Sequence, residues 1–161
     1  MLGERAIVFR APVYKALFEG VRERFGSASE AFLYYLGLNA GRSLYRNIVG
    51  LGMGGDLPTS VRLLALVHGR ALFEFTEFSP DVRWAVIRSY WTFECTIAKT
   101  RGTPHSAFYR GFLERILSEA WGQVHVTERR CIAAGDDFCE FYIGPRTDLV
   151  SLQPSSGDYC F

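Results

Sequence analysis

The feature that most constrains this chain is a change of hydrophobic period near Gly69. Before it, apolar residues recur every three to four positions, the spacing of one helix face; after it, they first alternate with polar ones, the spacing of a half-buried strand. From Pro12 the run Val13, Leu17, Phe18, Val21 and Phe25 predicts a first helix, with Pro near its first turn and Gly26 as its stop. Ser27 or Ser29 can cap a longer second helix whose expected apolar stripe is Phe32, Tyr35, Leu36, Ala40, Leu44 and Ile48. After residues 50–55 a third helix carries Val61, Leu64, Ala65 and Val67, and His68 near its end is suited to capping carbonyls.

Beyond Gly69, Leu72, Glu74 and Thr76 alternate with Phe73, Phe75 and Glu77, and a turn at Ser79-Pro80-Asp81 leads to a second alternating run from 82 to about 97. Two neighbouring antiparallel strands fit this pattern. Residues 100–104 read as a loop. Then Phe108, Phe112, Ile116 and Ala120, flanked by Leu113, Leu117 and Trp121, predict another helix ended by Gly122. Residues 124–133 and 138–143 read as a closing hairpin around Ala134-Gly135-Asp136-Asp137. Helices that precede antiparallel strands give an α+β class, with helices packed on one face of a mainly antiparallel sheet. A single domain is expected over 1–145, with a C-terminal tail over 146–161.

Composition narrows the function. An apolar fraction of 48% fits a packed core. Eighteen basic against seventeen acidic residues leave a net charge of +1, and no helix carries a one-sided basic run, so direct nucleic-acid binding is not expected. Nothing approaches the ~20 consecutive apolar residues of a membrane span, and the first ten residues lack a signal-peptide core; the expected location is cytoplasmic. The run Gly50-Leu-Gly52-Met-Gly54-Gly55 has the letters of a dinucleotide fingerprint, but it follows a helix and Pro58 delays the next one, so it reads as an interhelix loop. The histidines His68, His105 and His125 form no spaced pair with a serine or cysteine that would mark a nucleophile and its base.

The hairpin carries the most specific chemistry. Cys131 and Cys139 stand symmetrically about Gly135, so they are expected to face each other across the ladder, where opposite Cβ atoms lie ~4.5–5.5 Å apart. Two thiolates so placed can reach one metal ion; two small buried hydrophobes would read the same way. Glu128 lies three residues before Cys131, an odd separation, and joins the thiols only if a bulge re-aims it. Aromatics are concentrated at Tyr34-Tyr35, Trp84, Tyr90-Trp91, Phe93, Phe108-Tyr109, Phe112 and Trp121, which suits either an apolar ligand cavity or a core with a dimer interface.

Arg88-Ser89-Tyr90 with Phe93-Glu94, Arg110-Gly111-Phe112-Leu113, and Glu128-x-x-Cys131-x-Ala-x-Gly135-Asp136-x-x-Cys139-x-Phe141 resemble the 4-vinyl reductase domain, a small-molecule-binding relative of the transport-particle (TRAPP) subunit fold. The resemblance covers residues 80–143; before it, only the helical layout agrees. In family members that sense phenols for transcription activators, it implies a zinc held by a glutamate, the two hairpin cysteines and a further upstream cysteine. Glu128, Cys131 and Cys139 fall on three of those positions. Ser106 occupies the fourth, with His105 beside it as the expected substitute.

The resemblance also implies an apolar or aromatic ligand between sheet and helices, for which Trp91, Phe108, Phe112 and Tyr35 are the candidate wall residues, and a homodimer formed through the helices. The expected function is a zinc-containing binding or sensor module, more a binder than an enzyme, that passes its signal to a partner protein. The alternatives are an accessory subunit of a tetrapyrrole 4-vinyl reductase, which would need an electron or hydride source, and a purely structural assembly or tethering subunit.

Overall fold

A computed structural model describes residues 10–97, 102 and 104–146. The expected tail, apart from Arg146, lies outside the described residues, as do Cys160 and most of the loop at 98–103. Helices α1 (Ala11–Phe25), α2 (Ser29–Gly50) and α3 (Leu57–Val67) come first. Strands β1 (Ala71–Ser79) and β2 (Trp84–Thr92) follow, then the one-turn helix α4 (Phe93–Ile97), the long α5 (Ala107–Trp121), and strands β3 (His125–Arg130) and β4 (Cys139–Gly144). The four strands form one antiparallel sheet in the order β1-β2-β4-β3, so the two hairpins meet along β2 and β4. The α+β class and the closing hairpin are as expected.

Alternation along the strands puts Ala85, Ile87, Phe141, Ile143 and Val126 into the core beneath the helices. The opposite face carries polar pairs, such as Arg88 Nε donating to Glu140 Oε1 at 2.8 Å, and Arg129 over the Tyr142 ring. Two strand ends differ from expectation: the strand expected over 124–133 stops at Arg130, and the second run stops short of 97. The second run ends as a strand at Thr92, because Thr92 Oγ1 accepts from Cys95 N and Thr92 O from Thr96 Oγ1, which turns the chain into α4.

The buried stripe of α2 also differs. It runs through Ser29, Leu33, Gly37, Gly41, Leu44 and Ile48, while Phe32, Tyr35 and Leu36 face outward. Gly37 and Gly41 lie against the backbone of α5, and Gly111 of α5 lies against the backbone of α2. A Cβ at Gly111 would overlap the carbonyl oxygen of Tyr34, and one at Gly37 that of Phe108. Glycine on both helices therefore allows backbone-close packing and fixes which face of α2 turns inward. The N-terminus of α2 has no side-chain cap: Ser29 lies inside it, its Oγ donating to Gly26 O at 2.6 Å. His68 does close α3, its Nδ1 2.7 Å from Leu64 O.

Candidate metal and ligand site

Four ligand atoms converge where α4, the start of α5 and the β3–β4 hairpin meet: Sγ of Cys95, Cys131 and Cys139 and a carboxylate oxygen of Glu128, all within 4.8 Å of one another. Cys95 Sγ lies 3.5 Å from Cys131 Sγ and 3.4 Å from Cys139 Sγ, and all three thiols are fully buried. Zinc–sulfur bonds of about 2.3 Å in a tetrahedron set sulfurs about 3.8 Å apart, so the spacing suits a single ion. The hairpin gets there by irregularity. The ladder register slips between Glu128 and Arg130, which brings Glu128 to the side of the thiols. The strand stops at Arg130, and Cys131, still extended, stands one step past the last pair, Arg130 with Glu140. A short 3-10 turn at Ile132–Ala134 and Gly135 at φ 108° return the chain, held by Cys131 N donating to Asp136 Oδ2 at 2.8 Å.

Electrostatics make this a demanding place to leave without a cation. Hydrogen bonds from Cys139 and Cys95 hold Cys131 as a thiolate, well below the usual thiol range. The same sharing, and then burial, push Cys95 far up, and the bond to Cys131 takes Cys139 up to about 12. Burial, reinforced by the Cys131 charge, raises Glu128 well above an ordinary carboxylate, and its Oε1 is covered with no hydrogen-bond partner. A covered carboxylate oxygen beside a thiolate is what a divalent cation would complete, and soft sulfur with one oxygen suits zinc. Outer contacts orient the set. Ser106 Oγ is 2.8 Å from Cys95 Sγ, Ser106 N donates to Glu128 Oε2 at 3.3 Å, and the amides of His105 and Ile132 donate to Cys131 and Cys139 at 3.3 and 3.4 Å.

Cys95 is the member that sequence reasoning missed, and His105 does not take its place. The His105 backbone touches the cage, but its Nδ1 sits 3.7 Å from Glu30 Oε1 on α2. Glu30 in turn lines a cleft of about 360 Å³ together with Tyr34, Arg110, Glu114 and His125. The sequence offered one signal for Cys95: the Thr-x-x-Cys step at 92–95, which starts a helical turn and aims the thiol inward.

Next to the cage lies an aromatic cluster built by three helices. Phe93 of α4 touches Tyr14 and Phe18 of α1 at 5.1 Å and Phe108 and Tyr109 of α5 at 5.7 and 5.3 Å, and Phe108 stacks on Phe112 at 6.1 Å. Two of the four expected wall residues, Phe108 and Phe112, are therefore together. The other two are not: Trp91 is 41% exposed and Tyr35 68% exposed, on the outside of the sheet and of α2. Phe18, Phe93 and Tyr109 pack with Phe108 and Phe112 in the cluster. Inside this apolar cluster is a charged pair. Glu94 is fully buried; it accepts from Arg22 Nη2 at 3.1 Å and from the amides of Phe108 and Tyr109, capping α5 from a distance. Burial pushes its carboxyl up to about 8, against the pull of Arg22.

The cage and the α4 and α5 part of the aromatic cluster fall in a region that matches a known family. Residues 86–145 match the 4-vinyl reductase domain. That match bears out the resemblance read from the sequence, and the matched region holds Cys95, Glu128, Cys131 and Cys139 together with Phe108 and Phe112. No curated protein sequence matches the chain. Solved structures agree with the fold. One is the phenol-responsive sensory domain of the transcription activator PoxR, solved with phenol, at 16% identity and TM-score 0.70 over 94% of this chain and 86% of that one. A trafficking protein particle complex subunit 3 from Naegleria fowleri, covalently bound to palmitic acid, follows at 17% identity and TM-score 0.62 over 83% and 91%. A vinyl-4-reductase family protein from Methanocaldococcus jannaschii gives 17% identity and TM-score 0.57 over 88% and 83%. Among the described residues no helix is long and apolar enough to cross a membrane.

Proposed function

We propose that the protein is a small-molecule-binding sensor module: a compact apolar or aromatic ligand enters among the rings of α1, α4 and α5, and a structural zinc fastens the base of that site. The observation that carries this reading is the sharing of one short turn. Phe93 belongs to the aromatic cluster and Cys95, two residues on, belongs to the cage. The PoxR sensory domain, of the same fold, was solved with phenol, which supports an aromatic ligand here.

Zinc would be held by Cys95, Glu128, Cys131 and Cys139, and it would supply folding free energy. Four protein ligands close the coordination, which supports binding over catalysis. The exposed apolar residues Leu17, Phe25, Phe32, Tyr35 and Leu36 on α1 and α2 support a homodimer through these helices, and the signal would pass to a further protein.

Calorimetric titration with p-cresol tests the ligand claim. Saturable binding at one site per chain is expected, lost in Phe108→Trp, whose larger ring fills the cluster, while circular dichroism keeps the wild-type spectrum. No saturable heat from p-cresol or toluene would refute the reading.

A further inference from the structure

The aromatic cluster contains one donor that the fold leaves unused. Arg22 lies on the same face of α1 as Phe18, four residues on, with its guanidinium 5.8 Å from the Phe18 ring centre and only 7% of its side chain exposed. A guanidinium carries five N–H donors in a fixed fork. Nη2 donates to Glu94 Oε1, whereas Nε is covered and meets no acceptor. Glu94 has nothing left to offer a ligand. Its oxygens already take Arg22 and the Phe108 and Tyr109 amides. A buried donor without a partner is costly, and natural structures rarely leave one without a reason. Its neighbours are rings, so the missing acceptor is one that arrives with an apolar molecule.

We infer that Arg22 is a specificity-determining residue: its Nε–H donates to an oxygen on the ligand, selecting aromatic molecules that carry a hydrogen-bond-accepting oxygen over plain hydrocarbons. The inference rests on the binding reading above and adds the polar half of recognition to it. Glu94 is the positioning residue, since its hold on Nη2 fixes the plane of the guanidinium. Glu94 Oε1 lies 3.1 Å from Arg22 Nη2, so a ligand carboxylate would meet a second carboxyl group at close range, and a hydroxyl or ether oxygen suits the place better.

Three probes of one shape separate the possibilities: p-cresol, 4-methylanisole and toluene, measured by calorimetry on the full chain. The first two offer an oxygen acceptor and the third does not. A hydrogen bond from a charged donor predicts roughly 10- to 100-fold tighter binding of both oxygenated probes than of toluene. In Arg22→Lys, which keeps a cation for Glu94 and lacks the Nε–H fork, the three affinities converge on that of toluene, with the melting temperature confirming a folded chain. If Arg22→Lys does not fold, the double variant Arg22→Met with Glu94→Gln, which removes both charges, carries the same comparison. A preference for oxygen that survives these substitutions would overturn the inference and leave the binding reading intact, as would equal affinity of wild type for all three. Binding of none would remove both.

Discussion

Ser106 shows how much a single residue can organise here. Its hydroxyl lies 2.8 Å from Cys95 Sγ and reaches 3.8 and 3.9 Å to Cys131 and Cys139, while its amide donates to Glu128. One residue thus touches all four members of the cage without needing to be a ligand. Loss of such an outer partner typically lowers metal affinity by 10- to 100-fold. Ser106→Ala is therefore expected to bind zinc about 10- to 100-fold more weakly in a chelator competition while still binding one ion per chain; unchanged affinity would reduce the hydroxyl to a packing atom. Cys131 and Cys139 were legible in the sequence because they stand symmetrically about a glycine turn, whereas Glu128, at an odd offset from Cys131, was legible only through the family resemblance. Cys95 was not. It comes from a different element, 33 residues before Glu128 in the chain, and only the fold brings it to the hairpin.

At the scale of elements, the contact that decides the architecture is α2 on α5. Gly37, Gly41 and Gly111 let the two backbones meet, and at each a Cβ would overlap a carbonyl oxygen of the facing helix. Gly111→Ala is expected to destabilise the protein by about 3 kcal/mol, since overpacking here meets rigid backbone and not a side chain that can move aside. Gly55→Ala, in the loop before α3 with open space around it, should stay within about 0.5 kcal/mol. Urea denaturation of the two variants checks this, and equal stabilities would contradict the packing argument.

The same glycines explain what the sequence hid. Hydrophobic periodicity weighs side chains, and a helix face that packs through glycines carries little weight, so periodicity favours a stripe that includes Phe32, Tyr35 and Leu36, the bulky residues that the fold turns outward. The helices and strands themselves were legible because each keeps its period for several turns or residues. The end of β2 was not, because Thr92 redirects the chain through local side-chain bonds that alternation does not register.

At the scale of the whole molecule, the one-turn α4 joins three functions through consecutive residues: Phe93 in the aromatic cluster, Glu94 on Arg22 of α1 and on the N-terminus of α5, Cys95 in the cage. The outward face of α1 and α2 remains apolar, with Phe25 stacked on Phe32 at 5.6 Å while about half exposed. If this face pairs two copies, Leu36→Glu should convert a dimer to a monomer in sedimentation equilibrium with no loss of helix content, whereas an already monomeric wild type would refute the pairing.

The measurement closest to the centre of the account is the zinc content of the purified chain and of two variants, Cys95→Ser and His105→Ala. The account predicts about one zinc per chain in the wild type, retained in His105→Ala and lost or much reduced in Cys95→Ser together with thermal stability, because a structural metal contributes directly to folding. Zinc that survives Cys95→Ser but leaves with His105→Ala would contradict the cage, and so would a wild-type chain that folds stably and takes up no metal.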